Sequence, residues 1–127
     1  MTASRFNFRA YVEKINKIVN VEILHPEYVE DYDGNLYTNF VLMQSTGLVD
    51  KNGKEIFEGD IVRVIGDDLV IPLFSTVEWD EKNTGFIPMN KHDCRFSCIR
   101  MELLEVVGNI YENKKLLEEV ENGSKVE

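Results

Sequence analysis

Two groups of side chains have the types and spacing that could do chemistry. The first is His92, Asp93, Cys94 and Cys98. Tetrahedral zinc takes four nitrogen or sulfur ligands, and two cysteines a few residues apart let both sulfurs converge on one ion. Here there is one cysteine pair, with three residues between its members, and the second histidine, His25, is remote in sequence. The set is short of a closed site, so these side chains read as reduced thiols in or near a strand. The spacing also departs from the Cys-x-x-Cys of redox pairs. The second group is the carboxylate pairs Glu58/Asp60 and Glu78/Asp80. On a strand, residues two apart share a face, and such pairs can hold Mg2+ for phosphodiester cleavage. No lysine or histidine accompanies them in a recognisable order, and turn signals stand beside both, so they read as turn and strand-end residues. Ser45-Thr46-Gly47 carries hydroxyls without a base nearby, and the glycines form no phosphate-cradling loop. No enzyme activity, metal or cofactor is expected.

A third constellation suggests binding. Arg5, Arg9, Tyr11 and Tyr37, with Phe6 and Phe8, have the character of a single-strand nucleic-acid platform, in which bases stack on rings and cations meet phosphates. The strict alternation of residues 5–11 puts Phe6, Phe8 and Ala10 on the face opposite the arginines, which assigns the phenylalanines to the core.

The elements that must position these residues are strands. After residues 5–11, the β-branched run 18–24 reads as a second strand, ended by His25-Pro26, and Asp33-Gly34 signals a hairpin. Asn52-Gly53 signals another. Glu58-Gly59-Asp60 makes a tight entry into the alternating strand 60–64, with positive φ expected at Gly59. Ile56, Phe57, Ile61, Val62 and Val64 then form the wall of the core. Gly66-Asp67-Asp68 turns the chain. Residues 69–74, broken by Pro72, make an edge or loop, 75–80 a better strand, and 86–89 another after a turn at 81–85. Trp79 is the expected aromatic anchor. A last strand at 103–110 precedes Asn113, a suitable cap for a helix that places Leu116, Leu117 and Val120 at helical spacing and stops at Asn122-Gly123. Five to six short strands separated by turns imply a mainly β barrel or sandwich.

At 127 residues the chain suits a single domain able to bury a core without staples, and its 43% hydrophobic content is ordinary for a globular protein. No apolar run approaches the roughly 20 residues of a membrane span, the N-terminal stretch reads as no signal peptide, and two cysteines suit a reducing compartment, so a cytoplasmic protein is expected. The net charge of −9 is unevenly spread: residues 1–20 hold four bases against one acid, 21–101 seven against fifteen, and 102–127 three against seven. An acidic body repels DNA at long range, which disfavours nonspecific nucleic-acid binding. An acidic body with a basic edge instead suits head-to-tail self-association or a basic partner.

Residues 42–64, LMQSTGLVDKNGKEIFEGDIVRV, with Phe8-Arg9-Ala10-Tyr11, Val77-Glu78-Trp79 and Val107-Gly108-Asn109-Ile110-Tyr111-Glu112-Asn113, closely resemble the YopX family of small phage and prophage proteins. The resemblance covers nearly the whole chain. Departures are local: Tyr11-Val12 where Trp-Asp is usual, Ser45 where an aromatic is common, and Lys114 where a proline often begins the last helix. The resemblance implies one domain over 1–127: N-terminal strands and a hairpin at 1–40, an SH3-like small barrel at 41–110 and a short helix at 113–123. It marks Gly47, Asn52, Gly53, Gly59, Asp60, Trp79 and Gly108 as motif residues of the fold, and it carries no catalytic residues. It implies an accessory protein of a temperate phage or prophage in a bacterial host. The expected partners are further copies of the chain or a phage or host protein, rather than nucleic acid or membrane.

Overall fold

The computed structural model describes residues 6–64, 73–88 and 104–118. Arg5, the 66–68 turn, His92, Cys94, Cys98 and the end of the C-terminal helix lie outside them. Within the described residues the chain is mainly β, as its alternation and turn residues predict. The elements are β1 (Phe8–Val12), a 3-10 turn at Glu13–Ile15, β2 (Lys17–His25), β3 (Tyr28–Asp31), β4 (Leu36–Tyr37), β5 (Val41–Val49), β6 (Glu55–Phe57), β7 (Asp60–Val64), β8 (Leu73–Thr76), β9 (Glu78–Asp80), β10 (Gly85–Ile87) and β11 (Leu104–Asn109). A helical turn, α1, follows at 114–118.

These strands make three antiparallel sheets, not a closed barrel. One runs β4-β3-β2-β1-β5-β6, the second β11-β7-β8, and the third is the β9-β10 hairpin. The reason the ladder does not close lies at the Glu58-Gly59-Asp60 corner. There the chain leaves the first sheet and enters the second, so β6 pairs with β5 while β7 pairs with β8 and β11. The stretch 75–80, expected as one strand, divides at Val77 for the same reason. The Val77 N–H donates to the Asp60 carbonyl at 2.8 Å, and its own carbonyl accepts from the Gly59 N–H at 2.8 Å. With both backbone groups bound to the corner, Val77 cannot join either ladder.

β7 is buried on both faces, because a sheet neighbour flanks each edge and other elements cover each side. Val62 and Val64 join Ile56, Val77 and Leu104 in the core, with Phe86 and Val106 packed against it. Ile61 is fully buried as well. Two aromatic assignments, Trp79 from residue type and Phe6 from alternation, are overturned. Trp79 is 46% exposed, meeting Phe86 edge-on at 5.1 Å, because β9 pairs with β10 alone, and of these two rings it is Phe86 that packs against the core. Phe6 is 81% exposed, since it precedes β1 and so lies outside the alternation of the strand.

The two glycine hairpins share one construction. In Asp31-Tyr32-Asp33-Gly34-Asn35 and Asp50-Lys51-Asn52-Gly53-Lys54, the glycine takes positive φ, +85° and +80°. In each, the first aspartate accepts through Oδ1 from the backbone N–H groups two and four residues on, at 2.8–2.9 Å. The local carboxylate thus satisfies donors that a two-residue turn leaves open. The Asn35 backbone N–H, with the Asn35 and Tyr37 side chains, holds the Asp31 carboxyl below its ordinary pKa.

Asp50 does more, because its Oδ2 also accepts from the Val106 N–H at 2.9 Å and fastens the turn to β11. Asp50→Ala is expected to lower stability by about 2–3 kcal/mol, since donors deprived of a buried partner cost about 1–3 kcal/mol each and part of the loop can be rehydrated. Urea unfolding measures this. An unchanged midpoint would mean that water replaces the carboxylate.

Candidate functional site

Asp60 opens β7, and the short backbone link from Phe57 turns its side chain inward, where it is 1% exposed. Arg9, in the middle of β1, reaches across from the first sheet and forms an ion pair with it through Nη2 and Oδ1. The other carboxylate oxygen accepts from the Phe57 N–H at 2.8 Å, and the guanidinium carbon lies 4.3 Å above the Phe57 ring. Burial raises the Asp60 pKa, and Arg9, the Phe57 N–H and Lys54 pull it back only in part. The arrangement is a bolt between two sheets. It consumes the arginine that the sequence offers as a phosphate contact and the aspartate that it offers as a metal ligand.

The other carboxylates are dispersed. Glu78 accepts from the Thr76 hydroxyl at 2.7 Å and Asp80 from the Asn83 amide at 2.8 Å. Among the described residues no three His, Cys, Asp or Glu side chains are grouped to hold a metal ion. The hydroxyls of Ser45 and Thr46 are buried in a bulge around Gly47, which has φ +81°. Ser45 Oγ accepts from the Gly47 N–H and Thr46 donates to the Ile56 carbonyl, so both serve the backbone. Gly108 sits at the β11 bulge, where a Cβ would meet Asn113 Oδ1 at 2.6 Å. The space is needed because Asn113 accepts there from the Asn109 N–H at 3.0 Å, ahead of α1.

The structure does bring Tyr11 and Tyr37 together. They line a groove of about 870 Å3 between the start of the N-terminal meander, the segment after β4 and the turn after β11. Phe40 and Tyr111 complete its aromatic lining, and Lys14, Lys114 and Glu13 supply its charges. Tyr111 stacks on Tyr11 with ring centres 4.7 Å apart and planes 13° from parallel. Tyr11 is fixed further by a 2.7 Å bond from its hydroxyl to Asn16, the residue that closes the 3-10 turn in a left-handed conformation. The Tyr37 hydroxyl donates to Asp31 at 3.0 Å, and holding that proton against the carboxylate raises the pKa of the phenol. Burial, with Glu58 nearby, does the same for Tyr111. Tyr37 and Tyr111 are therefore held in their neutral forms.

A second groove of about 470 Å3 adjoins the first, and Val41, Ile110 and Tyr111 line both. Its remaining apolar wall includes Met43, Val77, Trp79 and Leu117, and its charged members are Glu58 and Glu78. The two form a continuous band, basic and aromatic at one end, acidic and apolar at the other. Sequence reading found Tyr11 and Tyr37 but missed Tyr111, Val41, Lys14 and Lys114 as members of one surface. No local pattern marks them, since they come from four separate elements.

The family model described as YopX protein matches residues 7–118. A solved structure, that of protein EF1440 from Enterococcus faecalis, is similar with a TM-score of 0.62 at 24% identity, covering 87% of this chain and 96% of that one. At that identity the likeness speaks for the fold. No curated protein matches the sequence.

Proposed function

We propose, for a chain that belongs to the YopX family, a non-enzymatic accessory role in a phage or prophage within the host cytoplasm, as a β module that binds protein through the grooved band. The observation that carries this reading is the band itself. Val41 and Trp79 leave nearly half their surface in water, 45% and 46%, in a continuous run with Tyr111 and Leu117. Contiguous apolar surface rimmed by polar groups is a mark of protein interaction sites. The favoured partner is another copy of the chain, with a phage or host protein as the alternative.

Light scattering from low to high micromolar concentration tests the reading. A weight-average mass rising above the monomer's 14.7 kDa is expected. A constant monomer mass, with no partner retained from infected cells, would overturn it. A second reading, stacking of single-stranded nucleic acid on Tyr11 and Tyr37 beside Lys14 and Lys114, has the first groove in its favour. Against it stand the engagement of Arg9 with Asp60 and the net charge of −9. Its signature would be binding that falls steeply with salt.

A further inference from the structure

We infer that the band is an isologous interface, on which a second copy of this chain docks about a two-fold axis passing near Val41, Ile110 and Tyr111. This rests on the reading of the band as a protein-binding surface and goes further by fixing which face meets which. The band is self-complementary. A two-fold axis sets the same patch against itself in reverse, so a patch suited to it has an apolar centre and ends of opposite character.

The band has that order. Val41, Ile110 and Tyr111 are shared by both grooves and lie at the middle. On one side Lys14 and Lys114 outnumber Glu13 along an aromatic trough. On the other, Glu58 and Glu78 flank an apolar wall with no described base. Reversed on itself, the band sets the lysines of one copy opposite the glutamates of the other at both ends, and brings the exposed Trp79 toward the partner's trough of tyrosine and phenylalanine rings. Aromatic residues are enriched in such interfaces, whose cores are poor in charge and whose rims are polar. A free anionic peptide would suit the lysine end alone and a cationic one the glutamate end alone. A second copy answers both.

The test is charge exchange on the full chain. The variant Lys14→Glu/Lys114→Glu and the variant Glu58→Lys/Glu78→Lys are each expected to be monomeric at concentrations where the natural chain is dimeric, because like charges then face each other at both ends. Mixed in equal amounts, they are expected to recover a dimer containing one copy of each, visible as a heterodimer by native mass spectrometry. Recovery on mixing also shows that the single variants fold.

Single variants that remain dimeric, or mixtures that stay monomeric with melting curves like the parent's, would overturn the assigned surface while leaving self-association itself standing. A parent chain that is monomeric throughout would overturn both. Masses growing without limit would replace the two-fold contact by a head-to-tail one and so refute the inference. A monomer that gains mass only on addition of a single-stranded oligonucleotide would give the band to nucleic acid instead.

Discussion

Arg9→Met is expected to destabilise the protein by about 3–5 kcal/mol at neutral pH and by much less in acid. Methionine keeps the aliphatic packing over Phe57 but removes the cation, and an ionised carboxylate left buried without its partner carries a penalty of that size. Asp60 is 1% exposed and, among the described residues, retains the Phe57 N–H as the one direct donor to its carboxylate in the variant. The pH dependence follows from its titration. Burial already holds the folded pKa of Asp60 above the ordinary value, and loss of Arg9 removes one of the influences pulling it back, so it climbs further. A carboxyl with a folded pKa above its unfolded one contributes fully to stability below the unfolded pKa, and the contribution is lost as pH rises through the folded one. Chemical denaturation across that range should therefore show the variant close to wild type in acid and falling away toward neutrality. Asp60→Asn on the Arg9→Met background should flatten the slope, because the amide cannot ionise. A deficit in Arg9→Met that is the same at every pH would show that lost packing, not the stranded charge, is responsible.

That ion pair also marks the boundary of what local sequence can reveal. The period-two pattern of residues 5–11 sorts Arg9 from Ala10 correctly, as Ala10 is fully buried on the opposite face. The arginine face is nonetheless covered, because β1 is an interior strand of its sheet and a second sheet lies across that face. Arg9 and its partner are 51 positions apart, and nothing within either segment announces the other. The available hint was Asp60 itself, a carboxylate opening a strand whose other positions are almost all apolar.

Turn chemistry was legible for the opposite reason. A positive φ needs a residue that tolerates it, so Gly34, Gly53 and Gly59 announce their conformations without long-range information. What the dipeptides Asp33-Gly34 and Asn52-Gly53 concealed was the aspartate two residues upstream of each pair's first member. Its carboxylate organises the loop, and the repeated spacing of Asp31 and Asp50 was the readable signal. Trp79 shows the converse error. A large aromatic was assigned to the core by type, although burial depends on whether another layer covers its strand. The grooved band was illegible because it is assembled from side chains whose neighbours in space are set by sheet topology.

Gly59→Ala is expected to lower stability by about 2–5 kcal/mol, from two separable sources. The first is conformational: φ is +89°, outside the region that an L side chain occupies readily, and holding alanine there costs on the order of 1–2 kcal/mol. The second is crowding, for the new Cβ would lie 3.2 Å from Met43 Cε and 3.3 Å from Tyr111 Cε2. Overpacking of that kind typically costs about 1–3 kcal/mol. The chain has little freedom to relieve the strain by moving. The Gly59 N–H is bound to Val77, its carbonyl accepts from Ile110 at 2.9 Å, and Asp60 beside it is held by Arg9. A double-mutant cycle with Met43→Ala separates the sources, because shortening Met43 removes that contact but leaves φ untouched. The part of the loss that disappears in the Met43→Ala background is crowding, and the part that persists is backbone strain together with the Tyr111 contact. A Gly59→Ala midpoint equal to wild type in urea would mean the corner can open by several tenths of an ångström. The inter-sheet junction would then be far softer than its hydrogen bonds imply, and Tyr111 beside it could not be a fixed part of the band's centre.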